Sequence, residues 1–166
     1  MTNTVANAGA EGLKIRRVNP AAFAAECDAT AALFIAARAA MLPHLAPLHS
    51  AEDTQHWMRE VVFPRLSVWL AEVAGEIVGF AARDGAWLAH LYVKPGWTGK
   101  GIGSRLLEVI CAEAARVTPV LRLYTFARNT GARRFYERHG FAVTAQSDGS
   151  GNEEREPDVR YERAVR

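Results

Sequence analysis

The chain has 166 residues, 49% of them hydrophobic, and a formal net charge of +2. That length and apolar content predict one domain with a proper core over residues 13–166, behind a small, polar N-terminal tail, 1–12, expected to be disordered. The near-neutral balance gives no general case for nucleic acid or a membrane surface as partner, and no run of eighteen apolar residues predicts a membrane span.

The first twelve residues lack the basic start and apolar centre of a secretion signal, so a cytoplasmic location is expected. Cys27 and Cys111 fall in predicted helices far apart in sequence. They read as packed thiols, not as a disulfide or metal pair, and no metal site is expected.

Lys14 to Val18 reads as a first strand. Asn19-Pro20 then starts a helix, with Asn19 as cap and Pro20 in the first turn, and the alanine-rich run Ala21 to Met41 continues it. Met41 to His49 carries two prolines and two histidines and is a loop. Ser50 to Asp53 has the form of a capping box for a helix running to about Phe63. Val68 to Val73 and Glu76 to Arg83 form a hairpin about Ala74-Gly75. Asp84-Gly85 is the strongest hairpin signal in the chain and leads into an apolar strand, Ala86 to Val93.

Pro95 ends that strand, and Gly99, Gly101 and Gly103 follow at alternate positions before a helix from Ile102 to about Val117. A loop rich in free N–H groups that opens onto a helix N-terminus suits a phosphate or diphosphate. It is not a P-loop, which would need glycine where Lys94 stands, nor a dinucleotide fingerprint, whose third glycine would fall at Ser104. The bland alternative for the glycines alone is a tight strand-to-helix turn without ligand. Leu121 to Phe126 is a further strand, followed by a helix from Thr130 to His139 with Asn129 as N-cap and Gly140 at the C-terminal stop. Two last strands, Phe141 to Ser147 and Asp158 to Ala164, flank an acidic loop, Asp148 to Pro157.

The loop Thr98 to Gly103 and the element Asn129 to Phe141, with the spacing between them, resemble the GNAT superfamily of N-acetyltransferases. The resemblance is specific over roughly Glu72 to Phe141, and Thr98 departs from it by standing where the family usually carries Gln or Arg. It implies an α/β (α+β) fold: a mixed, mostly antiparallel sheet of about seven strands, splayed between the strand ending at Val93 and the one starting at Leu121, with helices on both faces. It also implies direct attack of a primary amine on the thioester of acetyl-CoA, both molecules being bound together.

On that resemblance the amides of Thr98, Gly99, Lys100, Gly101, Ile102, Gly103 and Ser104 cradle the diphosphate, and Lys100, with Lys94 nearby, adds positive charge. Leu91, Tyr92 and Val93 pair with the pantetheine arm, the Val93 N–H facing the thioester oxygen, and Asn129 contacts the arm. Tyr136 is the matching acid for the leaving thiolate, against the bland alternative of a core aromatic beside Phe135. His90 is the first candidate base, although strand alternation could equally turn it under a helix; His49 and Tyr161 are weaker ones. His44, His49 and His56 fall near the expected acceptor wall, and the acidic loop, Glu154 included, could overhang it and attract a cationic amine. Each of these also suits a solvated loop.

The acceptor is therefore expected to be a small-molecule or peptide amine. The competing readings are a catalytically silent acyl-CoA-binding module, against which Tyr136 argues, and an unrelated nucleotide enzyme. Dimers are common among the resembled proteins, which leaves a homodimer open.

Overall fold

The computed structural model describes residues 10–166. The expected tail lies outside the described residues up to residue 9, and Ala10 to Leu13 form a turn closed by Leu13 N–H donating to the Ala10 carbonyl at 3.1 Å. Seven strands make one sheet: β1 (Lys14–Arg17), β2 (Ser67–Val73), β3 (Glu76–Asp84), β4 (Trp87–Val93), β5 (Val120–Phe126), β6 (Ala142–Ser147) and β7 (Asp158–Ala164). Their spatial order is β1-β2-β3-β4-β5-β7-β6, and every neighbouring pair is antiparallel except β4 and β5.

The helices are α1 (Phe23–Met41), α2 (Ala51–Trp57), the single turn α3 (Phe63–Arg65), α4 (Ile102–Ala114) and α5 (Thr130–Arg138). Asn19 caps a short 3-10 turn, Pro20–Ala22, ahead of α1. The helix expected to run unbroken to Phe63 is instead widened at Met58–Val62 into a π-helical turn, where Phe63 N–H donates to the Met58 carbonyl five residues back. Pro64 supplies the reason. It has no N–H to offer the Glu60 carbonyl, so the regular ladder cannot continue through it. Helix α4 stops three residues earlier than expected, and Val117 and Thr118 N–H groups both close on the Ala114 carbonyl before Pro119.

Strand alternation gives the sheet two cores. One face packs α4 through Val78, Ala81, Ile102, Leu106, Ile110, Leu121 and Leu123. The other packs α1 and the π-helical turn through Cys27, Leu33, Met58, Val62, Leu70 and Phe80. Cys27 and Cys111 are buried free thiols, as expected, and burial pushes the Cys27 thiol up to about 11. Helix α1 is long and apolar enough by composition to cross a membrane. Here its Cys27, Ala31, Leu33 and Ala37 are buried, and its Asp28 holds Arg59 at 2.6 Å.

Two features set up the cleft. Gly79 on β3 lets α4 sit close: a Cβ there would lie 3.1 Å from Ile102 Cγ2, 3.1 Å from the Tyr92 carbonyl and 3.2 Å from Leu106 Cδ1. Ile102, Leu106 and Ile110 are then essentially sealed from water, which at about 1.5–3 kcal/mol per side chain fixes the helix N-terminus against the sheet. The second feature is the β4–β5 junction, which has one pairing, Trp87↔Arg122, anchored by Arg122 N–H donating to the Ala86 carbonyl at 2.8 Å. Beyond it the two strands part, opening a wedge at their C-terminal ends.

Candidate active site

Two cavities meet in that wedge. One, of about 820 Å³, lies between the end of β4, the glycine loop and α5. The other, of about 710 Å³, lies between β4, β5, the end of α1 and the β6–β7 loop. Met41, Leu91, Asn129, Ala132 and Tyr136 line both.

The first cavity is built from backbone. Gly99 and Gly101 stand at φ 74° and 79°, conformations that side chains disfavour, and Gly101 is the N-cap of α4 with no side-chain acceptor for the first-turn N–H groups. Those orphan donors, on a helix N-terminus, fit an anion. Gly103 lines the cavity beside Phe135, where a Cβ would meet the ring at 3.4 Å, an ordinary contact. Thr98, Gly99, Gly101, Ile102, Gly103 and Ser104 all line this cavity. Lys100 is exposed and is not among its lining residues, and Lys94 is drawn away into an ion pair with Glu76 across the sheet edge. The loop's positive field therefore comes from amides more than from lysines. Ser104 Oγ lies 3.0 Å from His139 Nε2, whose Nδ1 is 2.7 Å from the Phe135 carbonyl. A carbonyl only accepts, so Nδ1 carries the hydrogen, and in the neutral ring the Ser104 hydroxyl donates to Nε2.

Register decides what β4 offers the wedge. Lys94 N–H donates to the Val78 carbonyl at 2.8 Å, and the pairing Phe80↔Tyr92 follows two residues back. The N–H groups of Leu91 and Val93 therefore point away from β3, toward the gap before β5. Leu91 and Val93 line the first cavity, whereas the Tyr92 side chain faces the second.

Tyr136 comes from α5, which Asn129 starts by accepting a hydrogen bond from Ala132 N–H at 3.1 Å. The two aromatic neighbours divide the labour. Phe135 packs over Gly103 and His139, while Tyr136 stands at the junction of the cavities with its ring against Phe141 and Tyr161. Burial, with the Tyr92 phenol nearby, pushes the Tyr136 hydroxyl well above its usual range, so it stays a proton donor.

His90 faces the α1 side and lines the second cavity. Its ring sits among Trp57 at 5.2 Å, Phe34 at 5.9 Å and Phe80 at 6.1 Å. Burial, and after it the positive charge of Arg38, lowers its imidazole to about 4. Arg38 is the residue that the sequence reading missed. Its guanidinium lies over Phe34 at 5.5 Å and Phe126 at 6.0 Å, and it donates to Glu154 Oε1 at 2.9 Å. The one visible signal is that it is the only basic side chain in α1.

Several acceptor-side expectations need correcting. His49 lines neither cavity, because its imidazole is held 2.7 Å from Glu153. Glu154 does line the second cavity, but its carboxylate is committed to Arg38. His44 faces Glu156 at 3.4 Å, and His56 is exposed on α2. The acidic loop thus clasps the end of α1 and the segment after it. Tyr161 is sealed under α5, donating to Glu137 at 2.7 Å and accepting from Arg133 at 3.0 Å, and lines neither cavity.

The fold has known counterparts. Residues 64–143 match the family described as acetyltransferase (GNAT) domain. An uncharacterized N-acetyltransferase of Archaeoglobus fulgidus is 36% identical over 98 residues, 52% of this chain and 66% of that protein. The peptidyl-lysine N-acetyltransferase YjaB of Salmonella typhimurium is 34% identical over 86 residues, covering 51% and 57%. The spermine/spermidine N(1)-acetyltransferase of Bacillus subtilis is 29% identical over 91 residues, covering 46% and 60%. The matches thus span 57% to 66% of these relatives' own lengths. Among solved structures, apo YjaB of Escherichia coli superposes with a TM-score of 0.69 at 23% identity, covering 90% of this chain and 96% of that one. The acetyltransferase yncA of Salmonella typhimurium, solved with acetyl-CoA, does so at 0.71 and 20%, covering 93% and 94%.

Proposed function

The chain belongs to the GNAT superfamily, and from that premise we propose that it transfers the acetyl group of acetyl-CoA to a primary amine, by direct attack with both molecules bound. The observation that carries this is the position of Tyr136, buried at the one place where the amide-lined cavity and the second cavity meet.

In this reading the first cavity takes the diphosphate and pantetheine. The free amides at the start of α4 receive the diphosphate, and the gap-facing N–H groups of Leu91 and Val93 receive the arm like an added strand. The Val93 amide is the donor for the oxygen that gains negative charge during attack. Thr98, Gly99, Gly101, Ile102, Gly103, Ser104 and Asn129 complete this wall. Tyr136 gives its proton to the thiolate as the C–S bond breaks. The amine enters through the second cavity, and His90, neutral through the physiological range, is one protein group there that can accept its proton. The acceptors printed in the names of the relatives, peptide lysine and spermine, are both amines.

Titration calorimetry with acetyl-CoA beside ATP, followed by thiol release with a panel of amines, tests the reading. Binding of acetyl-CoA alone, with amine-dependent release that Tyr136→Phe abolishes, is expected. Binding without any amine-dependent release would instead indicate a silent acyl-CoA-binding module, and no binding of acetyl-CoA would leave the glycine loop as a structural turn.

A further inference from the structure

Ser104 and His139 form a pair at the amide-lined cavity that the reaction scheme leaves unused. Ser104 is the third residue of α4 and lines that cavity. The first helical hydrogen bond runs from Arg105 N–H to the Gly101 carbonyl at 3.1 Å. The N–H groups of Ile102, Gly103 and Ser104 are therefore the free donors of the helix start, and the Ser104 hydroxyl belongs to the same turn.

That hydroxyl has one hydrogen to give. With His139 neutral, Nδ1–H donates to the Phe135 carbonyl at 2.7 Å and Nε2 is an acceptor, so the Ser104 hydrogen goes to Nε2 at 3.0 Å. The oxygen then has only lone pairs left for the cavity, which repel an anion. With His139 charged, Nε2–H donates to Ser104 Oγ, and the hydroxyl hydrogen is free to turn toward the cavity.

We propose that His139 is a positioning residue for the diphosphate: the imidazole takes up a proton when the anion binds, and this releases the Ser104 hydroxyl to donate to a phosphate oxygen. The proposal rests on the acetyltransferase reading and adds a proton, drawn from solvent, to its cofactor-binding step.

The groups around His139 carry both signs of charge. On α5 it is the C-cap, where a helix end favours a cation, and its ring lies 4.4 Å from that of Phe135. Arg138 beside it lines the cavity and opposes a further cation, while Glu137 is held by Tyr161 at 2.7 Å. On α4 the positive helix start opposes the imidazolium, and the exposed Glu108, one turn beyond Ser104, favours it. On β7 the Arg163 Nε would lie 3.7 Å from a Cβ placed on Gly140, the next residue. All of these act in the free and the bound protein alike. The diphosphate charge is added only in the bound one, so it sets the sign of the coupling. Binding favours the imidazolium, and by reciprocity the imidazolium favours binding.

Calorimetric titration of acetyl-CoA into the full chain, at pH 6, 7 and 8 in buffers of low and high ionisation enthalpy, counts the protons exchanged. The 3′-phosphate of the ligand titrates in the same range, so the quantity read is the difference between wild type and His139→Gln. For a tenfold coupling at an imidazole, wild type should take up about half a proton more at pH 7, and its Kd should rise about fivefold more from pH 6 to 8. Ser104→Ala should lose most of that difference, and Ser104→Thr, which keeps the hydroxyl, should retain it. A purely structural pair would weaken binding equally at all three pH values. Equal proton counts in wild type, His139→Gln and Ser104→Ala overturn the proposal and leave the acetyltransferase reading intact. No binding of acetyl-CoA by the wild type overturns both.

Discussion

Arg38, near the end of α1, and Glu154, in the β6–β7 loop, lie 116 residues apart in the chain and meet at 2.9 Å on the wall of the second cavity. The pair leaves a local balance that each partner alone would upset. Arg38→Gln removes the positive charge beside His90 and should raise kcat/KM for phenethylamine, an acceptor charged at neutral pH, relative to p-toluidine, a neutral one, by about tenfold. Glu154→Gln leaves that charge unneutralised and should move the ratio the other way, at a stability cost of about 1 kcal/mol. Measuring the ratio in both variants checks the sign as well as the size.

Tyr136→Phe keeps the ring against Phe141 and Tyr161 and deletes only the donor. kcat should fall about 100- to 1,000-fold, while the Kd for acetyl-CoA, set mainly by backbone amides, changes by less than about threefold. Because burial holds the hydroxyl protonated, the wild-type rate should show no loss near pH 9 from this group. Stopped-time assays and calorimetry on the same preparations separate the two quantities.

His90 links stability to pH. Its imidazole drops from the ordinary 6.5 to about 4 on folding. Between those values the unfolded chain holds a proton that the folded chain does not, so stability is full above about pH 6.5 and falls toward pH 4, by up to about 3 kcal/mol. His90→Phe should flatten that slope. Urea titrations at several pH values would show it, and an unchanged slope would rule out His90 as its source.

Two glycines divide the site. Gly103→Ala puts a methyl group 3.4 Å from Phe135, at the wall of the first cavity, and should weaken acetyl-CoA binding several-fold with the acceptor KM little changed. Gly149→Ala would place a methyl group 2.4 Å from the Glu156 backbone at φ 86°, so the β6–β7 loop must rearrange. Here the acceptor KM should rise and the acetyl-CoA Kd hold, with about 1–3 kcal/mol lost in stability. Paired calorimetry and kinetics on the two variants should give opposite patterns.

Most of the architecture was legible because punctuation is dense where it matters. Ala74-Gly75, Asp84-Gly85, Pro95, Asn129 and Gly140 mark turns and caps, and the strands and helices from Glu76 to Ala164 fall within a few residues of their expected limits. The cofactor side was legible for a related reason: it is made by contiguous backbone, Thr98 to Ser104, so local sequence describes it. The acceptor side joins α1, β4, β5 and the β6–β7 loop, and no local pattern tells Arg38 that Glu154 will be its partner. Lys94 shows the same limit in small. Its ordinary appearance beside a glycine loop promised charge for a phosphate, but strand register hands it to Glu76.

The lone Trp87↔Arg122 rung has a consequence for the protein's lifetime. Between β1 to β4 and β5 to β7 the backbone ladder is reduced to one pairing, leaving side-chain packing and ion pairs to hold the rest of the seam, so its strand ends should exchange more readily than the ladders on either side. On the proposed reading, acetyl-CoA lies in that seam and supplies the missing rungs through Leu91 and Val93. At a hundred times its Kd it adds about 2.7 kcal/mol against opening. Amide exchange along the ends of β4 and β5 would then slow, and proteases would find the seam shut. A cell rich in acetyl-CoA would hold more of this protein than a starved one at equal synthesis, with no regulator beyond mass action.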